Sequence, residues 1–198
     1  MKKILATVLV AVLALSLVFF AVACNKNNGS NKIRLNEVTH SVFYAPLYVA
    51  INEGYFTAEG LEIELTNGGG ADKSMTAVIS GQADIGLMGP EAAVYVNLQE
   101  SKNSPVVFAQ LTKRDGSFLM GRTAQPNFKW SDLSGAEIIG GRRGGMPAMC
   151  LEYVLTRNNL MSSVNLRYDI DFNLITAAFE GGTGDYCTMF EPAASQYV

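Results

Sequence analysis

The chain has 198 residues, 48% of them hydrophobic and 17% charged, enough for one large domain or two small ones. Its formal net charge is −3, and it becomes −5 if Lys2 and Lys3 leave with an N-terminal signal. That balance, with no basic face in view, excludes nucleic acid as a partner.

Met1-Lys2-Lys3 is a short cationic start, and residues 4–23 are apolar apart from Thr7 and Ser16. Ala21-Val22-Ala23-Cys24 follows, and then a polar run, NKNNGSN, over 25–31. Positive charge, an apolar core and small residues before a cut make an export signal. The apolar stretch is also long enough to span a bilayer as an uncleaved anchor. The cysteine at the boundary favours cleavage. It resembles the lipobox of bacterial lipoproteins, although Ala21 stands where such boxes usually prefer leucine. That resemblance implies that Cys24 is acylated and becomes the new N-terminus. On either reading the folded part is tethered at the extracytoplasmic face of the cell membrane, and the run after Cys24 is a flexible linker.

The rest alternates strand and helix signals. Residues 32–40 predict a strand, 45–56 a helix with Pro46 in its first turn and Gly54 near its end, and 61–66 a strictly alternating strand. After the loop Asn67-Gly68-Gly69-Gly70 come a helix over 71–80, a short strand over 84–88, and a helix from Gly89-Pro90-Glu91 to about residue 100. Two strands, 105–111 and 117–122, are joined by a turn through Arg114-Asp115-Gly116. Residues 123–133 are polar and aperiodic and predict a crossover. A second set follows: strand 136–140, helix from Gly144 to about 159, strand 164–172, short helix 174–179, strand 186–190, and a helix opened by Pro192. The expected division is signal 1–23, lipidated linker 24–31, first lobe 32–122, crossover 123–133 and second lobe 134–198.

Repeated alternation on both sides of a crossover predicts an α/β fold with two lobes, each a mostly parallel sheet with helices on both faces. In open sheets of this kind ligands sit beyond the carboxyl ends of the strands. Those ends fall at 39–46, 67–71, 89–91, 140–147 and 190–192, and each leads into a helix N-terminus, which favours an anionic or strongly polar ligand.

APLYVAINEGYFTAEGLEIEL (45–65), GGGADKSMTAVISGQADIGLMGPEAAV (68–94), WSDLSGAEIIGGRRGGMPAMCLEYVL (130–155) and FEGGTGDYCTMFEP (179–192) resemble the ABC-transporter substrate-binding proteins that serve nitrate, sulfonate, taurine and thiamine-precursor importers. The resemblance implies the bilobed type II periplasmic-binding-protein architecture, closure of two hinged lobes on a small molecule, and delivery to a membrane permease. No cofactor and no metal are expected, and a monomer is expected. Members usually continue beyond the point where this chain stops, so the second lobe and the returning segments are expected to be incomplete.

Candidate ligand-binding residues follow from the strand ends. His40 and Ser41 lie just past the first strand, with the flat rings of Phe43 and Tyr44 beside them. Gly69 and Gly70 allow close backbone approach. Gly89, Pro90 and Glu91 open a helix, where Glu91 also suits the helix dipole. Arg142 and Arg143, with Gly144, Gly145 and Met146, lack the spacing of a dinucleotide fingerprint or a P-loop but can form an anion-binding nest. Glu191 stands at the last strand end. Each also has a plain structural reading as a turn, packing or solvated residue. The arginines and helix ends suit an oxyanion, and His40 with the aromatic pair suits a heteroaromatic such as a pyrimidine, which is slightly favoured.

With one histidine and no nucleophile or metal-ligand motif, no enzyme is expected. The alternatives are an enzyme on the same fold, of pyrimidine-synthase-like or menaquinone-pathway-like type, and a membrane-tethered ligand sensor. Cys150 and Cys187 lie in apolar surroundings and are expected as two separate buried thiols, although an oxidising compartment would permit pairing.

Overall fold

A computed structural model describes residues 31–99 and 104–198. The export signal, the acylation of Cys24 and almost all of the linker therefore lie outside the described residues.

The first sheet is parallel, with strand order β2-β1-β3, built from β1 (Asn31–Glu37), β2 (Leu61–Asn67) and β3 (Ile85–Leu87). Helix α1 (Ala45–Asn52) and the short α2 (Tyr55–Ala58) connect β1 to β2, and α3 (Ala71–Ile79) connects β2 to β3. The helix expected over 45–56 is broken, because Gly54 takes φ +74 and ends one helical path before the next begins. Helix α4 (Glu91–Leu98) leaves β3 and packs on α3 through Met75, Ala92, Ala93 and Val96.

The second sheet has strand order β4-β7-β5-β6, from β4 (Phe118–Gly121), β5 (Glu137–Ile139), β6 (Asn165–Arg167) and β7 (Tyr186–Met189). Here the alternation of a strand is easy to follow. Ile138 faces Leu151 and Leu155 of α5 (Met146–Arg157). Its neighbour Ile139 points the other way, onto Ile175 and Phe179 of α6 (Ile175–Glu180) and Ala194 of α7 (Ala193–Tyr197). Most of the largest fully buried side chains belong to this sheet and its helices. The stronger core is therefore the second one.

Other sequence expectations need correction. Residues 105–111 form no strand. Apolar content alone does not make one, since a strand needs a ladder partner, and this segment has none among the described residues. It runs as an extended strap instead, with Val106 82% and Phe108 73% exposed. Arg114-Asp115-Gly116 therefore joins no pair of strands. Phe118–Gly121, expected in the first lobe, pairs antiparallel with β7 in the second sheet. Arg122 fastens it there by donating at 2.8 Å to the carbonyls of Phe179, Thr183 and Gly184, with its guanidinium 4.2 Å from the Phe179 ring centre. The chain has thus crossed between sheets before residue 118. Finally, the strand expected over 164–172 stops at Arg167. Beyond it the chain turns toward the first lobe, where the Phe172 N–H donates to the Gly69 carbonyl at 3.1 Å.

Candidate functional site

The two sheets face each other across a cleft of about 790 Å³. All five strand-end loops reach it: Ser41, Phe43 and Tyr44 from β1, Gly70 from β2, Gly89, Pro90 and Glu91 from β3, Arg142, Gly145 and Met146 from β5, and Phe190 from β7. The strap over 105–116 forms a further wall.

The apolar part of the cleft is aromatic. Phe190 meets Phe43 edge-on at 5.6 Å between ring centres and Phe172 at 4.9 Å, so one ring of the second lobe lies between a ring of each lobe. Phe43 also lies against Gly116, where a Cβ would sit 1.7 Å from its Cζ.

Polar contacts join the lobes around this cluster. The Ser41 hydroxyl donates to the Glu191 carbonyl at 3.2 Å, and the Thr39 hydroxyl to Asn173 Oδ1 at 2.9 Å. The Asn173 amide in turn donates to Asn67 Oδ1 at 3.0 Å. Lys73 pairs with Asp171 at 2.7 Å, and Arg142 pairs with Asp72 at 2.6 Å and lies 3.6 Å from Asp171. Burial works against the ionised form of Asp72, but the Arg142 guanidinium overcomes it and holds the carboxyl below the usual carboxylate range.

Two carboxylates are buried at the first-lobe wall. Glu37, 2% exposed at the end of β1, accepts from the Tyr48 hydroxyl at 2.7 Å and contacts His40 Nδ1 at 3.1 Å. Glu91, 6% exposed, has no hydrogen-bond partner at either oxygen. Burial pushes its pKa up and Asp115 adds repulsion, against the backbone N–H groups of Glu91 and Met146, which favour the charge without reaching hydrogen-bond geometry. Burial, and then Glu37, Glu91 and Asp115, push the Tyr44 hydroxyl up to about 12.

Several sequence candidates do not line the cleft. His40 is an exposed residue stacked on Tyr48 at 4.3 Å. Gly69 is buried and gives its carbonyl to the second lobe. Arg143 lies over the Tyr168 ring at 4.1 Å, and Gly144 lies against Tyr95. The Glu191 carboxylate turns back to accept from the Ser195 N–H and hydroxyl at 3.1 and 2.8 Å, capping α7. The sequence reading missed Phe172 and Phe190 as lining, and Asp72 and Asp171 as partners of Arg142. Phe190 was within reach of the strand-end rule, one residue before Glu191. The other three carry no local signal, because only the meeting of the lobes brings them in. No group of His, Cys, Asp and Glu side chains among the described residues is arranged to hold a metal ion.

The chain matches the family described as NMT1/THI5 like over residues 42–192, and it belongs to that family. The putative binding protein YtlA of Bacillus subtilis (strain 168) is 43% identical over 183 residues, which is 91% of this chain and 55% of that protein. The chain thus spans about half the length of that relative. Among solved structures, the periplasmic nitrate-binding protein NrtA from Synechocystis PCC 6803 superposes with a TM-score of 0.63 at 16% identity, covering 86% of this chain and 49% of that one. The periplasmic aliphatic sulphonate binding protein SsuA from Escherichia coli gives 0.59 at 15% identity, covering 84% and 56%. These likenesses show the fold, the bilobed α/β architecture of type II periplasmic binding proteins.

Proposed function

We propose that the chain is the solute-capturing part of an extracytoplasmic substrate-binding protein that serves an ABC importer. One observation carries the reading: five strand-end loops from two sheets meet in a single cleft, and lobe-to-lobe hydrogen bonds and ion pairs surround it. A cleft built this way encloses a small molecule when the lobes close and releases it when they part. The family membership and the binding-protein description of YtlA support it. The protein acts by binding, not by catalysis, as a monomer held at the outer face of the membrane through lipid on Cys24. The ligand is a small heteroaromatic of the pyrimidine type or an oxyanion, and Ser41, Phe43, Tyr44, Gly70, Glu91, Arg142 and Phe190 are its nearest neighbours.

A thermal-shift screen of the chain against nitrogen heterocycles, amines, sulfonates, nitrate and other small solutes tests this. A saturating ligand should raise Tm by several degrees, since a solute at about 100 times its Kd adds about 2.7 kcal/mol. Conversion of the stabilising solute into a product, or no stabilisation by any solute, would overturn the reading.

A further inference from the structure

Among the described residues, the two oxygens of Glu91 are the only buried side-chain polar atoms without a hydrogen-bond partner. An unpaired buried carboxylate is costly, and the fold keeps this one on the cleft wall. Glu91 opens α4, and its carboxylate folds back over Gly89, where a Cβ would lie 2.0 Å from Oε2. The N–H groups of Glu91 and Met146 face it and favour its charge, but neither oxygen has a hydrogen-bond partner, and a change of side-chain torsion turns it further into the cleft.

The cations nearby are mostly occupied. Arg142 is held by Asp72 and Asp171, and Arg143 lies over Tyr168. Lys113 and Arg114 line the strap wall and are exposed. The ends of α4 and α5, which would otherwise suit an anion, face the Glu91 carboxylate. The local field is acidic: burial, and then Asp115 and Glu91, also push the Cys150 thiol up. The same cleft is lined by the aromatic pair of Phe43 and Phe190.

We propose that Glu91 selects the ligand of this cleft, pairing with a cationic or N–H-donating nitrogen group, of amine or amidine type, carried on a flat apolar body, and that it turns oxyanions away. The inference rests on the receptor reading above. An amidinium presents two parallel N–H groups to the two carboxylate oxygens, and an amine presents one charge. Either supplies the partner that the fold omits. A sulfonate would instead meet a like charge at the wall it must approach.

Matched skeletons of opposite charge test this by isothermal titration: benzamidine and benzylamine against benzenesulfonate and benzoate, with the intact chain and its Glu91→Gln and Glu91→Asp variants. Circular dichroism and Tm establish that each variant folds. The nitrogen compounds should bind the parent chain, lose at least tenfold in affinity in Glu91→Gln, and recover part of it in Glu91→Asp. The anions should bind the parent more weakly and gain in Glu91→Gln. Nitrogen compounds unaffected by Glu91→Gln, or anions that bind the parent as well as they do, would sink this inference and leave the receptor reading intact. Failure of both sets, together with an empty thermal-shift screen, would take down the receptor reading and this one with it.

Discussion

Asp72 and Arg142 meet across the cleft, one in the first turn of α3 and the other in the loop before α5, with Nη2 2.6 Å from Oδ2. With Lys73 and Asp171 they form a line of alternating charges from lobe to lobe. Arg142→Ala should loosen the contact between the lobes. Small-angle scattering should give a larger radius of gyration, and stability should fall by about 1 kcal/mol, the upper range for partly exposed pairs. The folded-state pKa of Asp72 is depressed, so its contribution is fully present above the unfolded carboxylate value and is lost as pH falls below it. Acid should therefore open the parent chain and leave the already loosened variant little changed.

Glu91 works in the opposite sense. Its folded pKa is raised, so its contribution is fully present below the unfolded value and is lost as pH rises through the folded one. Glu91→Gln removes the buried charge. It should gain on the order of 1 kcal/mol at neutral pH, a rise of a few degrees in Tm, with the gain vanishing toward pH 4. Thermal melts at several pH values check this. A variant that is more stable and binds more weakly is what a functional site held at a cost to the fold should produce.

Gly116→Ala should disturb the cleft from the strap side. The new methyl would meet the Phe43 ring 1.7 Å from Cζ, and the ring must leave its contact with Phe190. A loss of about 1–3 kcal/mol is expected from such overpacking. Denaturant melts measure it, and Phe43→Leu in the same chain should recover part of it.

Cys150 and Cys187 are both free, and Cys187 is fully buried with its thiol pushed up by burial to about 12. In native protein Cys187 should resist iodoacetamide, and Cys150 should react slowly, its thiol raised by burial and by Asp115 and Glu91. Peptide mapping after native and denatured labelling distinguishes the two. A Cys150–Cys187 crosslinked peptide under non-reducing conditions would contradict the structure.

Local pattern made much of this fold legible. The strict alternation of Leu61, Ile63 and Leu65 with Glu62, Glu64 and Thr66 leaves β2 little choice, and Pro147 in the first turn of α5 marks where that helix starts. What local pattern cannot carry is pairing. Residues 105–111 have strand composition and no partner, whereas Phe118–Gly121 owes its sheet to β7 and to Arg122, well removed in sequence. The site divides the same way. Strand ends located Phe43, Glu91 and Arg142 at the cleft, but whether a charge there is spent or free depends on Asp72, Asp171 and Tyr168, which arrive from other elements.

The position of β7 has a consequence in time. It lies between β4 and β5 in the second sheet, yet it follows both in the chain, so the sheet must wait for its own centre. The first sheet closes with contacts between residues 31 and 87, whereas β4 pairs with a strand some seventy residues downstream. Non-local pairing of that kind is slow. In pulse-labelled hydrogen exchange during refolding, the amides of β1 and β2 should gain protection first, and those of β4, β5 and β7 together and later. During synthesis, Leu119 and Met120 would stay uncovered until residues 186–189 have emerged, which makes β4 the stretch where a chaperone has most to protect.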